Sequence, residues 1–233
     1  MRYINKGLPP AVITNFIAIQ QPIGVNLNYA AFIFAGHGPA LNQILRVEQR
    51  QICCYCLQRI DHFQGNNEGG SHNEHLVPQH GLHGNANLQL TNTNIFACCN
   101  YSKGETPASQ HCGEAKGDLP ITDFITNPDC RDFFKYNIIG EILPNGIYNL
   151  AVDYRTNYGT LPGWQQDAID TIETLKLNCE ILKTLRRQIT ITVIRQAQSL
   201  SRPQAQGRIQ ILNHQNPFAP LVELIIFYLQ QVH

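Results

Sequence analysis

Six of the eight cysteines and six of the nine histidines fall between Cys53 and Cys112. This clustering constrains the chain more than any other feature. Soft thiolates and imidazoles packed into one short stretch point to metal binding before they point to a disulfide framework. Cys53 and Cys56 form a Cys-x-x-Cys pair, followed by Cys98-Cys99-Asn100 and then His111-Cys112-Gly113. Two thiolates three positions apart in a tight turn can grip one tetrahedral zinc from the same side. The expected ligand set is Cys53, Cys56, Cys99 and Cys112, a closed site with no position left for water. Cys54 and Cys98 are then packed bystanders, with Cys98 and His111 as the credible substitutes.

The remaining composition narrows the class. At 233 residues and 43% hydrophobic content the chain is long enough to bury a real core. The 17 basic and 17 acidic residues cancel, so a free-standing polycation that holds nucleic acid by bulk charge is excluded. Prolines interrupt the start where a signal peptide needs an apolar run, and no apolar stretch approaches the ~18–20 residues of a membrane span. A cytoplasmic, reducing setting is expected, where thiols serve as ligands. No phosphate-binding Gly-x-x-x-x-Gly-Lys-[Ser/Thr] occurs, so the chain itself is not expected to bind ATP.

Four regions differ in character: an apolar 1–50, the Cys/His-rich and net acidic 51–118, a Pro/Asn/Asp-rich 119–160, and 161–233. Helices are expected after Pro9-Pro10, through Val12, Ile13, Phe16 and Ile17, and from Pro39 to about Gln51, with Leu41, Ile44 and Leu45 on one face. Segment 65–95 reads as loop with short strands, and Phe133 to Ile142 as a strand pair around Gly140. A helix follows Pro162 with Trp164, Ala168, Ile172 and Leu175 in register. Another places Leu182, Leu185, Ile189, Val193, Ala197 and Leu200 on one stripe. Pro203 and Gly207 should break it, before a last helix, apolar nearly all round, from about Pro220 to Gln231. Lys183, Arg186 and Arg187 share a helix face by spacing and read as a solvated or phosphate-facing patch.

Interleaved with the cysteines is a second set: Glu74-His75-Leu76-Val77-Pro78, Asn87-Leu88, and Asn100-Tyr101-Ser102-Lys103-Gly104. This order resembles the HNH, or ββα-metal, nuclease motif in its His-Asn-Asn form. The implied fold class is α+β, a zinc-clipped ββα-metal core surrounded by N- and C-terminal helices. The resemblance implies His75 as general base, Glu74 and Asn100 as oxygen ligands of a catalytic Mg2+ or Mn2+, and Asn87 as the residue that braces the loop and orients the histidine. The chemistry suits these types: histidine titrates near neutrality, and magnesium prefers oxygen. His72, His80 and His83 read as solvated bystanders, with substrate phosphate as the alternative for His80 and His83; Lys103 and Lys116 read as exposed, with nucleic-acid contact as the alternative.

The resemblance extends further. Arg2-x-Ile4-x-Lys6-Gly7-x-x-Pro10, Glu48-Gln49-x-x-Ile52-Cys53-Cys54-Tyr55-Cys56, Asn94-Ile95-Phe96-Ala97-Cys98-Cys99-Asn100 and His111-Cys112-Gly113-x-x-Lys116-Gly117-Asp118 are similar to the PtuB family, the HNH nuclease subunits of Septu anti-phage defence. That similarity implies a bacterial cytoplasmic nuclease partnered with a PtuA-like ABC/SMC-type ATPase, and DNA as a substrate favoured over tRNA. Related pairs serve as retron effectors alongside a reverse transcriptase and its RNA/DNA. The competing expectations are a retron-linked toxin that cuts tRNA and a catalytically degenerate, zinc-stabilised binding module.

Overall fold

The computed structural model describes residues 1–21, 27–60, 70–146 and 157–232. Part of the expected 65–95 loop, part of the 119–160 connection and His62 lie outside the described residues. Helix α1 (Ala11–Gln20) starts directly after the Pro9-Pro10 pair and buries Ile13 and Phe16. A short helix α2 (Tyr29–Phe34), not among the expected elements, is capped by the Asn28 side chain. Helix α3 (Gly38–Glu48) has Pro39 in its first turn and buries Leu41 and Leu45. Ile44 turns outward instead of sharing their face.

Strand β1 (Ser71–His75) pairs antiparallel with β2 (Ile95–Cys99), Ser71 opposite Cys99 and His75 opposite Ile95. Every residue of β2 is buried. Such a hairpin is marginal alone; α3 covers it. The α3 C-terminus does so through one side chain: Gln49 donates from Nε2 to the Ala97 carbonyl (2.8 Å) and accepts from the Ala97 N–H (2.7 Å). Its amide thus pairs with the backbone as a neighbouring strand would, and satisfies groups that would otherwise be buried unpaired. Lys6 ties the N-terminal arm to the same place, bonding Glu48 Oε2 (2.5 Å) and the Ile95 carbonyl (2.9 Å).

After the one-turn helix α4 (Gly113–Lys116), strands β3 (Phe134–Tyr136) and β4 (Ile142–Pro144) form a second hairpin. This is the pair expected around Gly140. Helices α5 (Gly163–Thr174), α6 (Glu180–Ala197), α7 (Arg202–His214) and α8 (Val222–Leu229) complete the chain. The architecture is α+β. One apolar cluster runs from Met1 and Ile4 through Phe96, Ile142 and Leu182 to Tyr228. No helix of the described residues is long and apolar enough to cross a membrane.

Three expectations change in the last quarter. The buried stripe of α6 is Leu182, Arg186, Thr190, Val193 and Ala197, rotated from the all-aliphatic stripe read by spacing. Arg186 therefore points inward. Its guanidinium donates to the carbonyls of Gly140 (2.7 Å) and Leu177, so the expected basic face of Lys183, Arg186 and Arg187 does not form. Lys183 pairs with Glu180 on its own helix. Pro203 does not end helical structure; it lies in the first turn of α7, where its missing N–H costs nothing. The Ser201 N–H, bonded to Gln204 Oε1 at 2.8 Å, closes that start.

Glu223 on the apolar helix α8 is buried and held by Arg2 and Arg131. Arg2 and Arg50 also face the Phe218 ring, 4.1 and 4.6 Å from its centroid. The N-terminus and the C-terminal helix are thereby joined by charge as well as by apolar packing.

Gly140 sits at φ +85°, and a Cβ there would lie 2.1 Å from the Lys183 carbonyl oxygen. Only glycine lets the hairpin tip approach α6 and hand its own carbonyl to Arg186. Gly140→Ala should therefore cost about 2–3 kcal/mol of stability in urea unfolding; an unchanged midpoint would show that the tip does not seat on α6.

Candidate functional site

The turn carrying Cys53 and Cys56 closes on itself through Cys53 N–H to Gln58 O (2.9 Å) and Leu57 N–H to Cys53 O (3.2 Å). It abuts β2, whose end supplies Cys98 and Cys99. Cys112 comes from the residue just before α4. The sulfurs of Cys53, Cys56, Cys99 and Cys112 all lie within 4.8 Å of one another and are buried. Cys53 and Cys112 are 4.0 Å apart, Cys56 and Cys99 3.7 Å. A zinc with Zn–S of ~2.3 Å has tetrahedral edges of roughly 3.8 Å, so the four thiols fit that ion. His111 is buried beside them, its Nε2 3.9 Å from Cys99 Sγ.

The second set stands on the other half of the hairpin. Strand alternation puts His72 and Glu74 on one face of β1 and His75 on the other. His72, expected to be solvated, is a centre of contacts: Nδ1 donates to Asn100 Oδ1 (2.5 Å), and Nε2 lies 3.3 Å from Glu74 Oε2. Lys116, expected to be exposed, is buried at 2% exposure. Its ammonium sits 3.0 Å from Glu74 Oε1 and donates to the His75 carbonyl at 2.8 Å. Glu74 is thus framed by one imidazole and one ammonium. Burial opposes its charge, but the His72 bond and Lys116 outweigh that and hold its carboxyl below the usual range.

Gly113 joins the two sets. Its N–H donates to Cys98 Sγ at 3.3 Å. A Cβ on it would come within 2.6 Å of His72 Nε2 and 2.7 Å of Glu74 Oε2. The thiol cluster and the carboxylate therefore meet across one residue without a side chain.

His75 is buried, edge-on to Tyr29 with ring centroids 4.5 Å apart. Nε2 donates to the Gln89 carbonyl (2.9 Å) and Nδ1 accepts from Gln79 Nε2 (3.0 Å). This network assigns the proton to Nε2 and a lone pair to Nδ1. Burial pushes the His75 pKa down, against the partial opposition of the Gln89 carbonyl and Glu74. Burial acts on His72 in the same direction, but Glu74 and Asn100 more than offset it and its pKa rises. The two histidines are tuned apart: His75 towards neutral, His72 towards cationic.

Asn87 does not meet His75. It is exposed in a 3-10 turn, with its backbone N–H on Asn85 Oδ1 (3.0 Å). The bracing bonds are made by Asn94, buried at the start of β2. Its Oδ1 accepts from the Val77 N–H (2.7 Å), and its Nδ2 donates to the Val77 and Leu88 carbonyls (3.1 Å each). Asn94 precedes Ile95-Phe96-Ala97, a run that reads as strand; an amide immediately before a buried strand is the available signal. His80 and His83 are exposed, as is Lys103.

No protein-family model matches the chain. Over 148 residues it is 25% identical to the Vibrio cholerae serotype O1 biovar El Tor protein named "Retron Vc95 putative HNH endonuclease", an alignment covering 63% of this chain and 67% of that one. This distant similarity supports the HNH endonuclease family.

Two outcomes follow from the geometry. Asn94→Ala should destabilise by about 2–3 kcal/mol, because buried backbone groups lose their partners, whereas Asn87→Ala stays within about 0.5 kcal/mol; equal effects in chemical denaturation would remove the bracing role. A zinc ion held by the four thiols would make the fold chelator-sensitive: chelation should lower the thermal unfolding midpoint and expose thiols to a colorimetric reagent, and zinc should restore both.

Proposed function

We propose that the chain is an HNH nuclease that hydrolyses phosphodiester bonds, with a thiolate-bound zinc holding the hairpin and a Mg2+ or Mn2+ ion at Glu74 and Asn100. The observation that carries this reading is the convergence of the Glu74 and Asn100 side-chain oxygens on the His72 imidazole; His75 follows Glu74 in sequence, faces the other side of β1, and has its ring oriented by Gln89. Two side-chain oxygens suit a hard divalent ion that keeps several waters. When bound, that ion supplies charge neutralisation at the phosphate and its leaving oxygen.

The protein's own groups do the rest. His75 Nδ1 holds the lone pair that takes a proton from water, and the Gln89 carbonyl keeps the ring in that tautomer. Gln79 covers Nδ1 and must yield the position to water. His72 shares the face of Glu74 and Asn100 and is the competing base by position. Its raised pKa opposes that role, because a base must begin neutral. Lys116 keeps Glu74 ionised and aimed.

The name of the Vibrio cholerae relative supports a retron-linked effector as the biological setting. In that setting the nuclease works with a PtuA-like ATPase, which would capture the substrate that a chain of zero net charge attracts only weakly. DNA is the favoured substrate and tRNA the alternative.

With Mg2+ or Mn2+ supplied, His75→Ala should reduce cleavage of DNA by about 10²–10⁴-fold without altering circular dichroism. Undiminished cutting would remove His75 as the base, and loss in His72→Ala alone would transfer the role. Parallel assays on tRNA, with and without the ATPase, decide the substrate.

A further inference from the structure

One tetrahedral zinc needs four thiols, yet six are buried together. Cys54 and Cys98 are as enclosed as the tetrad, each 1% exposed or less. Two observations separate them from packed bystanders. The first is spacing. The sulfurs of Cys53, Cys54 and Cys98 lie within 4.8 Å of one another, so Cys53 belongs to two ligand sets. Cys53 Sγ is 3.9 Å from Cys98 Sγ and 4.0 Å from Cys112 Sγ, both close to the roughly 3.8 Å edge of a zinc–sulfur tetrahedron.

The second is hydrogen bonding. Cys98 Sγ accepts the Gly113 N–H at 3.3 Å, as Cys53 Sγ accepts the Cys99 N–H at 3.4 Å. A neutral thiol is a weak acceptor, and an ionised one a strong acceptor. The backbone places one N–H on Cys98 Sγ just as it does on the sulfur of a tetrad ligand.

We propose that the six cysteines bind two zinc ions: one on Cys53, Cys56, Cys99 and Cys112, the other on Cys53, Cys54 and Cys98, with Cys53 bridging. The charge balance permits it. Four thiolates around one Zn2+ beside two neutral thiols leave a net −2. Six thiolates around two Zn2+ leave the same, with the protons of Cys54 and Cys98 released to solvent. The second ion thus adds no net buried charge, and thiolate donors select zinc over hard cations.

The test is a metal count on the untagged full chain, saturated with zinc and then washed with a weak chelator. Elemental analysis and native mass spectrometry should give two zinc ions per chain. Cys54→Ser and Cys98→Ser should each give one, with helical content retained. Cadmium-113 NMR of the cadmium-loaded wild type should show two signals coupled through the shared sulfur. A single zinc per wild-type chain, or two that survive Cys98→Ser, overturns the proposal. Should the variants not fold, the wild-type count and the cadmium spectrum decide it. Cleavage is not a readout here, so failure of the nuclease reading and failure of the second ion are distinguishable.

Discussion

The convergence of thiols from three separated stretches is the constraint on which the rest depends. The Cys53–Cys56 turn, the end of β2 and the residue before α4 have little regular structure of their own. Two paired five-residue strands and a one-turn helix bury too little surface to hold each other. A zinc at four thiolates would supply what apolar area does not, because metal binding and folding are then one free energy. The flanking helices contribute the remaining core, and α3 reaches the hairpin through side-chain amides, Asn42 on β1 and Gln49 on β2, rather than through a third strand.

Charge is used sparingly and inside. Glu74 with Lys116, Glu223 with Arg2 and Arg131, and Arg186 with two carbonyls are all largely removed from water. Buried pairs of this kind offer modest net stability but penalise every arrangement that leaves one partner alone. They therefore fix which way strands and helices face. On α6, Arg186 is committed to internal geometry and Lys183 to Glu180, while Arg187 and Arg195 stay exposed.

Much of this is legible in the sequence. The Cys53-x-x-Cys56 spacing is short-range and chemical, so a thiol cluster is legible in the order of residues, with Cys98 and His111 left there as substitutes for the chosen Cys99 and Cys112. The hairpin around Gly140 and the α5 start after Pro162 are readable from turn and helix-start signals. The long-range partners are not. The burial of Lys116 depends on Glu74 forty-two positions earlier, and the inward turn of Arg186 on a carbonyl from another hairpin. Asn87 and Asn94 are alike as letters; only the fold shows which faces the Val77 backbone. Pro203 reads as a breaker because a proline that ends one helix and a proline that begins the next look the same from one side.

Gly113 bears on how such a chain can change over generations. The nearby stretch from Lys103 to Ala108 is exposed. Position 113 is closed from two directions at once, since any side chain would displace His72 and Glu74, while its N–H is committed to a sulfur. Drift that retunes the thiol cluster cannot pass through this residue without disturbing the carboxylate. The two halves of the site must therefore be inherited as one unit.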